Sequence, residues 1–262
     1  MIKLYYHIYT STSRNLAVMM VDQQIRRLRN ARIMGHMQMN CVIVGPHMDI
    51  VKNLVERYGC FNILETSYQD EEEYCEGRTL RYLWQDAKND DGICFMHTKG
   101  IAYHSGEKRV HGFTMPRNLT AINSWRWAME YYNLDLWQER IENLNKVSDT
   151  EGICLYLDPF WHYNGNFWWA KGTHIRRLPD PTRMEGTMEN RLKPRAWLFY
   201  NRGHHMNYFQ CLNYPRDDKL PGPFRTHEDD MMPHVLYERK RLTELKAALA
   251  RGDGEAIERL SR

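Results

Sequence analysis

At 262 residues with 42% hydrophobic content, the chain is long enough to bury a full core, as one large domain or two small ones. A formal charge of +3, 26% charged residues and no Lys/Arg block give no footprint for nucleic acid, although mild basicity suits an anionic ligand. Six cysteines without a CxxC pair read as free thiols of a reducing cytoplasm; no window approaches the roughly 18 apolar residues of a membrane span, and MIKLYYHIYTS lacks a signal-peptide core.

Ile2 to Tyr9 is rich in β-branched and aromatic residues and ends in Thr10-Ser11-Thr12-Ser13, a buried strand running into a polar loop. Leu16 to Met34 carries Val18, Val21, Ile25 and Leu28 at helical spacing. Asn40 to Pro46 reads as a second buried strand, Met48 to Arg57 as a helix, and Asn62 to Glu65 as a short strand. This strand and helix alternation predicts a mostly parallel α/β sheet. The acidic run Asp70 to Glu73 opens a helix, Tyr74 to Lys88, as the dipole favours, and the apolar strand Gly92 to Met96 delivers His97-Thr98-Lys99-Gly100 into a loop. In an open α/β sheet ligands collect at the carboxyl ends of strands, so these four residues stand where chemistry is expected.

Asn118 to Glu142 reads as one helix whose stripe, Trp125, Trp127, Met129, Tyr131 and Trp137, is core material. Gly152 to Leu157 is a further strand leading through Asp158. Next comes Asn164-Gly165-Asn166-Phe167-Trp168-Trp169, where aromatics beside a glycine predict a wall for stacking a sugar, with core packing as the bland alternative. Asp180 as N-cap before Pro181, with Pro194 as stop, predicts a three-turn helix bearing Glu185 and Glu189 on one face. Phe199 to Pro223 reads as a loop or lid, and Met232 to Ala250 as an amphipathic helix of an appended tail.

A Lys and a hydroxyl at a strand end, beside a glycine, can hold a diphosphate, which makes Thr98 and Lys99 candidates. His97, His104 and His111 recur every seven residues, but in a glycine-bearing loop that spacing fixes no metal geometry. Glu185 and Glu189, with Asp158 nearby, supply carboxylates for a general base or for a hydrolase pair. The sequence has no Gly-x-Ser-x-Gly elbow, P-loop or Gly-x-Gly-x-x-Gly fingerprint, which demotes α/β-hydrolase, kinase and dehydrogenase readings.

With His97 to Gly100, Gly165 to Ala170, Leu178-Pro179, and Arg183 with Glu185 or Glu189 in order over residues 1 to 200, the chain resembles GT-A-type nucleotide-sugar glycosyltransferases. The likeness is to a viral and bacterial group of these proteins. It implies a single GT-A-like, Rossmann-like α/β domain over 1–225; residues 226–262 lie outside the likeness and read, from their own amphipathic pattern, as a C-terminal helical extension that packs on the domain or mediates self-association. It further implies a nucleotide-sugar donor, with a glycan, lipid or protein acceptor. By the same resemblance Tyr9, Thr10, Ser11, Glu65, Thr79, His97, Thr98, Lys99 and Gly100 line the donor nucleotide. Asp158, Gly165, Asn166, Trp168 and Trp169 line the sugar and acceptor, and Glu185 or Glu189 is the base. An Asp-x-Asp is absent where His97-Thr98-Lys99 stands, so either Lys99 replaces Mn²⁺ or Mg²⁺ or His97 is itself a ligand. A glycoside hydrolase, a carbohydrate-binding module and a degenerate transferase used as an assembly platform are the alternatives.

Overall fold

Strands buried on both faces have no polar side to alternate with, and the first strand is such a case: Leu4 to Ile8 are all buried. The computed structural model describes residues 1–11, 13–68, 76–98, 100–101, 109–110, 113–114, 119–153, 155–156, 161–184, 193–200 and 208–210, plus positions 247, 251, 253 and 255. β1 (Ile2–Tyr9), α1 (Arg14–Asn30), β2 (Gln38–Val44), α2 (Met48–Tyr58), β3 (Asn62–Ser67), α3 (Gly77–Asp86) and β4 (Gly92–His97) follow in turn. These are the predicted elements, with ends moved by a few residues. α1 stops at Asn30, four residues short of the predicted Met34, because Arg32 turns left-handed at φ 56° and the Ile33 amide closes back on the Leu28 carbonyl at 3.1 Å.

Later elements are shorter. β5 (Arg109–Val110) pairs with β6 (Phe113–Thr114), then come α4 (Leu119–Glu130), a π-helical turn (Tyr131–Asp135) and α5 (Trp137–Lys146). The single helix predicted over 118–142 is therefore interrupted, and Trp127 stands 45% exposed, outside the core stripe. β7 (Thr150–Gly152), β8 (Leu155–Tyr156), β9 (His162–Tyr163), β10 (Trp168–Lys171), α6 (Gly172–Ile175), α7 (Lys193–Trp197) and β11 (Tyr208–Gln210) complete the described chain.

Seven strands form the main sheet in the order β11-β7-β10-β4-β1-β2-β3. β3, β2, β1 and β4 run parallel, whereas β10 is antiparallel to both β4 and β7. The domain is thus α/β with a mostly parallel sheet covered on both faces. Leu4, Tyr6, Ile8, Cys94 and Met96 meet α1, α2, α4 and α5 on one face. Tyr5, Ile93 and Phe95 meet Leu80 and Leu83 of α3, with Trp197 of α7, on the other. Among the described residues no helix is long and apolar enough to cross a membrane. The tail over 226–262 lies outside them, save the four single positions.

Candidate functional site

Because α1 leaves β1 on one face and α3 reaches β4 on the other, the order of winding reverses between β1 and β4. Their carboxyl ends form the crevice where ligands of open α/β sheets bind. Strand register puts a row of residues across the sheet just below that edge: Glu65 opposite Val42, Val42 opposite His7, and His7 opposite His97. Alternation places His7 and His97 on the α3 face, continuing from Tyr5 and Phe95. The first turns of α3 cover this row with Glu76, Arg78 and Thr79.

His7 is buried, and its Nδ1 lies 2.9 Å from Thr79 Oγ1. Burial pushes its pKa down to about 4 against the opposing pull of Glu76, so the ring is neutral at physiological pH. His97 Nε2 lies 2.7 Å from the Gly165 carbonyl and 3.5 Å from Glu76 Oε1. A carbonyl only accepts, so Nε2 carries the proton. The other oxygen of Glu76 accepts from Asn166 Nδ2, and Asn166 Oδ1 accepts from Trp168 Nε1 at 3.0 Å. Arg78 pairs with Glu65, both about a quarter exposed (24% and 28%) where the row opens to solvent.

The polar residues at the β1 and β4 ends are committed to shaping the crevice. Thr98 Oγ1 donates to the Tyr9 carbonyl at 3.0 Å and accepts from the Tyr9 amide at 2.9 Å, which locks the two strand ends together. Thr10 Oγ1 accepts from the His47 amide at 3.1 Å, at the entry to α2. Gly45 is needed beside it, since at φ +111° a Cβ would stand 2.7 Å from that hydroxyl. Ser11, left-handed at φ 55°, accepts from the Ser13 amide at 3.2 Å. Gly100 is buried, with φ 90°.

Trp168 and Trp169 overturn the stacking-wall expectation: they are 1% and 0% exposed and belong to the core. Neighbouring strand residues point to opposite faces, so the pair serves both layers. Trp168 stacks on Phe95 at 5.2 Å, whereas Trp169 Nε1 donates to the Asn133 carbonyl in the π-helical turn at 2.8 Å. A π-turn leaves carbonyls outside the helical ladder, and this indole satisfies one of them. Gly165 and Asn166 of the predicted sugar site stand beside His97 and are buried as well, Asn166 at 1% exposure.

The predicted helix over 181–194 is corrected at its start. Asp180 caps the Thr182 amide at 2.9 Å as expected, but only one 3-10 turn, Pro181–Arg183, follows before Met184 is extended (ψ 117°). Pro194, the expected stop, stands inside α7. Lys99, Asp158, Glu185 and Glu189, like His104, His111, His204 and His205, lie outside the described residues. Among the described residues no group of three or more His, Cys, Asp or Glu is placed to hold a metal. His7, Glu76 and Arg78 were not singled out from sequence. The signal for His7 was available: one histidine near the end of an apolar strand, matched by His97 at the end of another.

A family model described as a domain of unknown function (DUF8361) matches residues 5–225. No curated protein sequence matches the chain. Among solved structures it is similar to a 4-diphosphocytidyl-2C-methyl-D-erythritol synthase, at 8% identity over 90% of this chain and 98% of that one, with a TM-score of 0.43. The synthase of that name from Anaerococcus prevotii DSM 20548 gives 10%, 90%, 96% and 0.40. S. aureus TarS 1-349 gives 10% identity over 81% of this chain at a TM-score of 0.40, and this chain spans 59% of it.

Proposed function

This chain belongs to the DUF8361 family, and we propose that it is a glycosyltransferase that moves a sugar from a nucleotide-sugar donor to a hydroxyl of a glycan, lipid or protein. The observation that carries this reading is the polar row of Glu65, His7 and His97 under Glu76, Arg78 and Thr79. It lies at the carboxyl ends of parallel strands beside the switch point. A purely structural sheet gains nothing from burying two histidines side by side at that edge, because each polar group must be compensated.

In this reading the donor nucleotide lies over Tyr9 to Ser11 and the Glu65–Arg78 rim, with its diphosphate toward Lys99 and Gly100, because the Thr98 hydroxyl is already committed to the Tyr9 backbone. Glu185 or Glu189 takes the proton of the acceptor hydroxyl as its oxygen bonds to the anomeric carbon. The bond from that carbon to the leaving phosphate oxygen breaks, and the nucleotide departs with its electron pair. Asp158 stands with the acceptor. His97 Nε2 donates to Gly165, which leaves Nδ1 as the ring nitrogen that would ligate Mn²⁺ or Mg²⁺ if His97 did so; in this reading Lys99 supplies the positive charge instead. Residues 226–262 are read as a helical extension that serves docking or self-association. Burial of both indoles removes the stacking wall from the transferase, binding-module and hydrolase readings alike, so the choice among them rests on the crevice at the strand ends.

The test is a thermal-shift and calorimetric screen against UDP-, GDP-, dTDP- and CMP-sugars, each with and without Mn²⁺. A donor at 100 times its Kd stabilises the fold by about 2.7 kcal/mol. Binding that is independent of metal and lost in Lys99→Ala is the expected result, and no binding under any condition overturns the reading. Full turnover in both Glu185→Gln and Glu189→Gln removes the base assignment.

A further inference from the structure

The turn Asn164–Asn166 enters β10 beside the end of β4, and its backbone is not one an ordinary sequence keeps unaided. Gly165 and Asn166 are both left-handed, at φ 73° and 57°, and for a non-glycine residue that conformation costs about 1 kcal/mol or more. Such a turn persists when its surroundings over-determine it. Here the surroundings form a closed circuit of side chains. His97 Nε2 donates to the Gly165 carbonyl at 2.7 Å and faces Glu76 Oε1 at 3.5 Å. The other oxygen of Glu76 holds Asn166 Nδ2, while Trp168 Nε1 holds Asn166 Oδ1 at 3.0 Å. The circuit is braced from both sides. Gln24 Nε2 donates to the His97 carbonyl at 3.2 Å from the opposite face of the sheet, and the Phe167 ring meets the His97 imidazole edge-on at 5.1 Å.

We propose that Glu76 and His97 are positioning residues: they set the Asn164–Asn166 turn at the mouth of the crevice, and the turn sets the attitude of the sugar being transferred. The assignment rests on the transferase reading. His97, one of the residues that the resemblance sets against the donor nucleotide, has its Nε2 on the Gly165 carbonyl instead, and Glu76 is not among the expected nucleotide contacts, the rest of which lie on β1, β3, α3 and the loop after β4. Loss of either therefore leaves donor affinity intact and lowers turnover, since a displacement of about 1 Å at a reacting centre costs about 100-fold.

The experiment uses the full chain and two readouts. One is hydrogen exchange of the Trp168 indole N–H in ligand-free protein, followed by NMR. The other is Kd and kcat for the donor giving the largest shift in the UDP-, GDP-, dTDP- and CMP-sugar panel. His97→Ala and Glu76→Ala should speed Trp168 exchange about fivefold or more, and lower kcat at least tenfold with Kd unchanged. His97→Gln, which restores an N–H donor near the Nε2 position, should recover both. Asn166→Gly keeps the left-handed backbone without strain while cutting the circuit, so it separates the network from general unfolding. It should fold as the wild type does, with faster Trp168 exchange and reduced kcat. Unchanged exchange or unchanged kcat in Asn166→Gly, or a His97→Gln no better than His97→Ala, overturns the positioning role alone. A wild-type chain that binds no nucleotide sugar overturns the transferase reading and this assignment together.

Discussion

The two ends of β1 bury polar groups on the same face, against the same helix, for different ends. At the amino end Lys3 Nζ lies 2.7 Å from Asp91 and 2.9 Å from Asp86, and it donates to the Asp86 carbonyl at 2.8 Å, while Tyr5 hydrogen-bonds Asp86 as well. At the carboxyl end His7 meets Thr79, and beside it the His97–Glu76–Asn166 circuit opens toward solvent. α3 spans both ends, with Thr79 near its start and Asp86 at its finish. The amino end is a lock of opposite charges. Desolvation alone would lower the Lys3 pKa, but Asp91 and Asp86 outweigh it and raise it, while Lys3 helps hold Asp91 below the usual carboxylate range. The carboxyl end holds a histidine neutral and leaves carboxylates near an opening. Burial of charge by itself does not mark a site; burial next to a crevice does.

This contrast is broken most severely at the lock. Lys3→Met takes the cation from Asp91, at 1% exposure, leaving it the Lys88 amide and the terminal ammonium, while Asp86 keeps the Tyr5 hydroxyl; it should cost about 3 kcal/mol in urea unfolding while nucleotide-sugar affinity of the folded protein stays unchanged. Acid sharpens the contrast, because the two ends titrate in different windows. The His7 pKa is lowered from an ordinary 6.5 to about 4, so its contribution is full above pH 6.5 and is lost as pH falls toward 4, by about 3 kcal/mol. Asp91, also lowered, contributes above its ordinary pKa and is lost only at more acid pH. His7→Asn should therefore flatten the stability profile between pH 6.5 and 4 and leave the steeper acid limb in place.

Thr79→Val removes the partner of His7 Nδ1 with little change of shape, and should cost about 1–2 kcal/mol by the same unfolding measurement. Lys146→Ala cuts an exposed pair with Glu142 far from either end, and no change in the unfolding midpoint is expected.

The parallel half of the sheet was legible because its strands are buried on both faces: Ile2–Tyr9 is dominated by β-branched and aromatic residues and Gly92–Met96 is an unbroken apolar run, and their bounds follow from that. The antiparallel half was not. β7 and β10 are three and four residues long, too short for a period to show, and the pairing of β10 with β4 and of β7 with β10 is a tertiary fact. At the site, strand ends pointed to His97 and Thr98, and a left-handed Gly-Asn pair could be suspected. Glu76 could not, because it belongs to the crevice only through the fold of α3 against β4. The tryptophan pair misled for a related reason: composition identifies an aromatic cluster, whereas burial is decided by neighbours distant in sequence, Phe95 and Asn133.

That pair also sets the reading frame of the sheet. Trp168 satisfies an amide in front of one layer and Trp169 a carbonyl in the layer behind, one residue apart. Inserting a single residue between Asn166 and Trp168 would carry Trp168 to the place of Trp169 and Trp169 to that of the buried Ala170, leaving the Asn166 side chain without its donor and an indole where a methyl group is packed. Strand β10 can therefore seat in only one register.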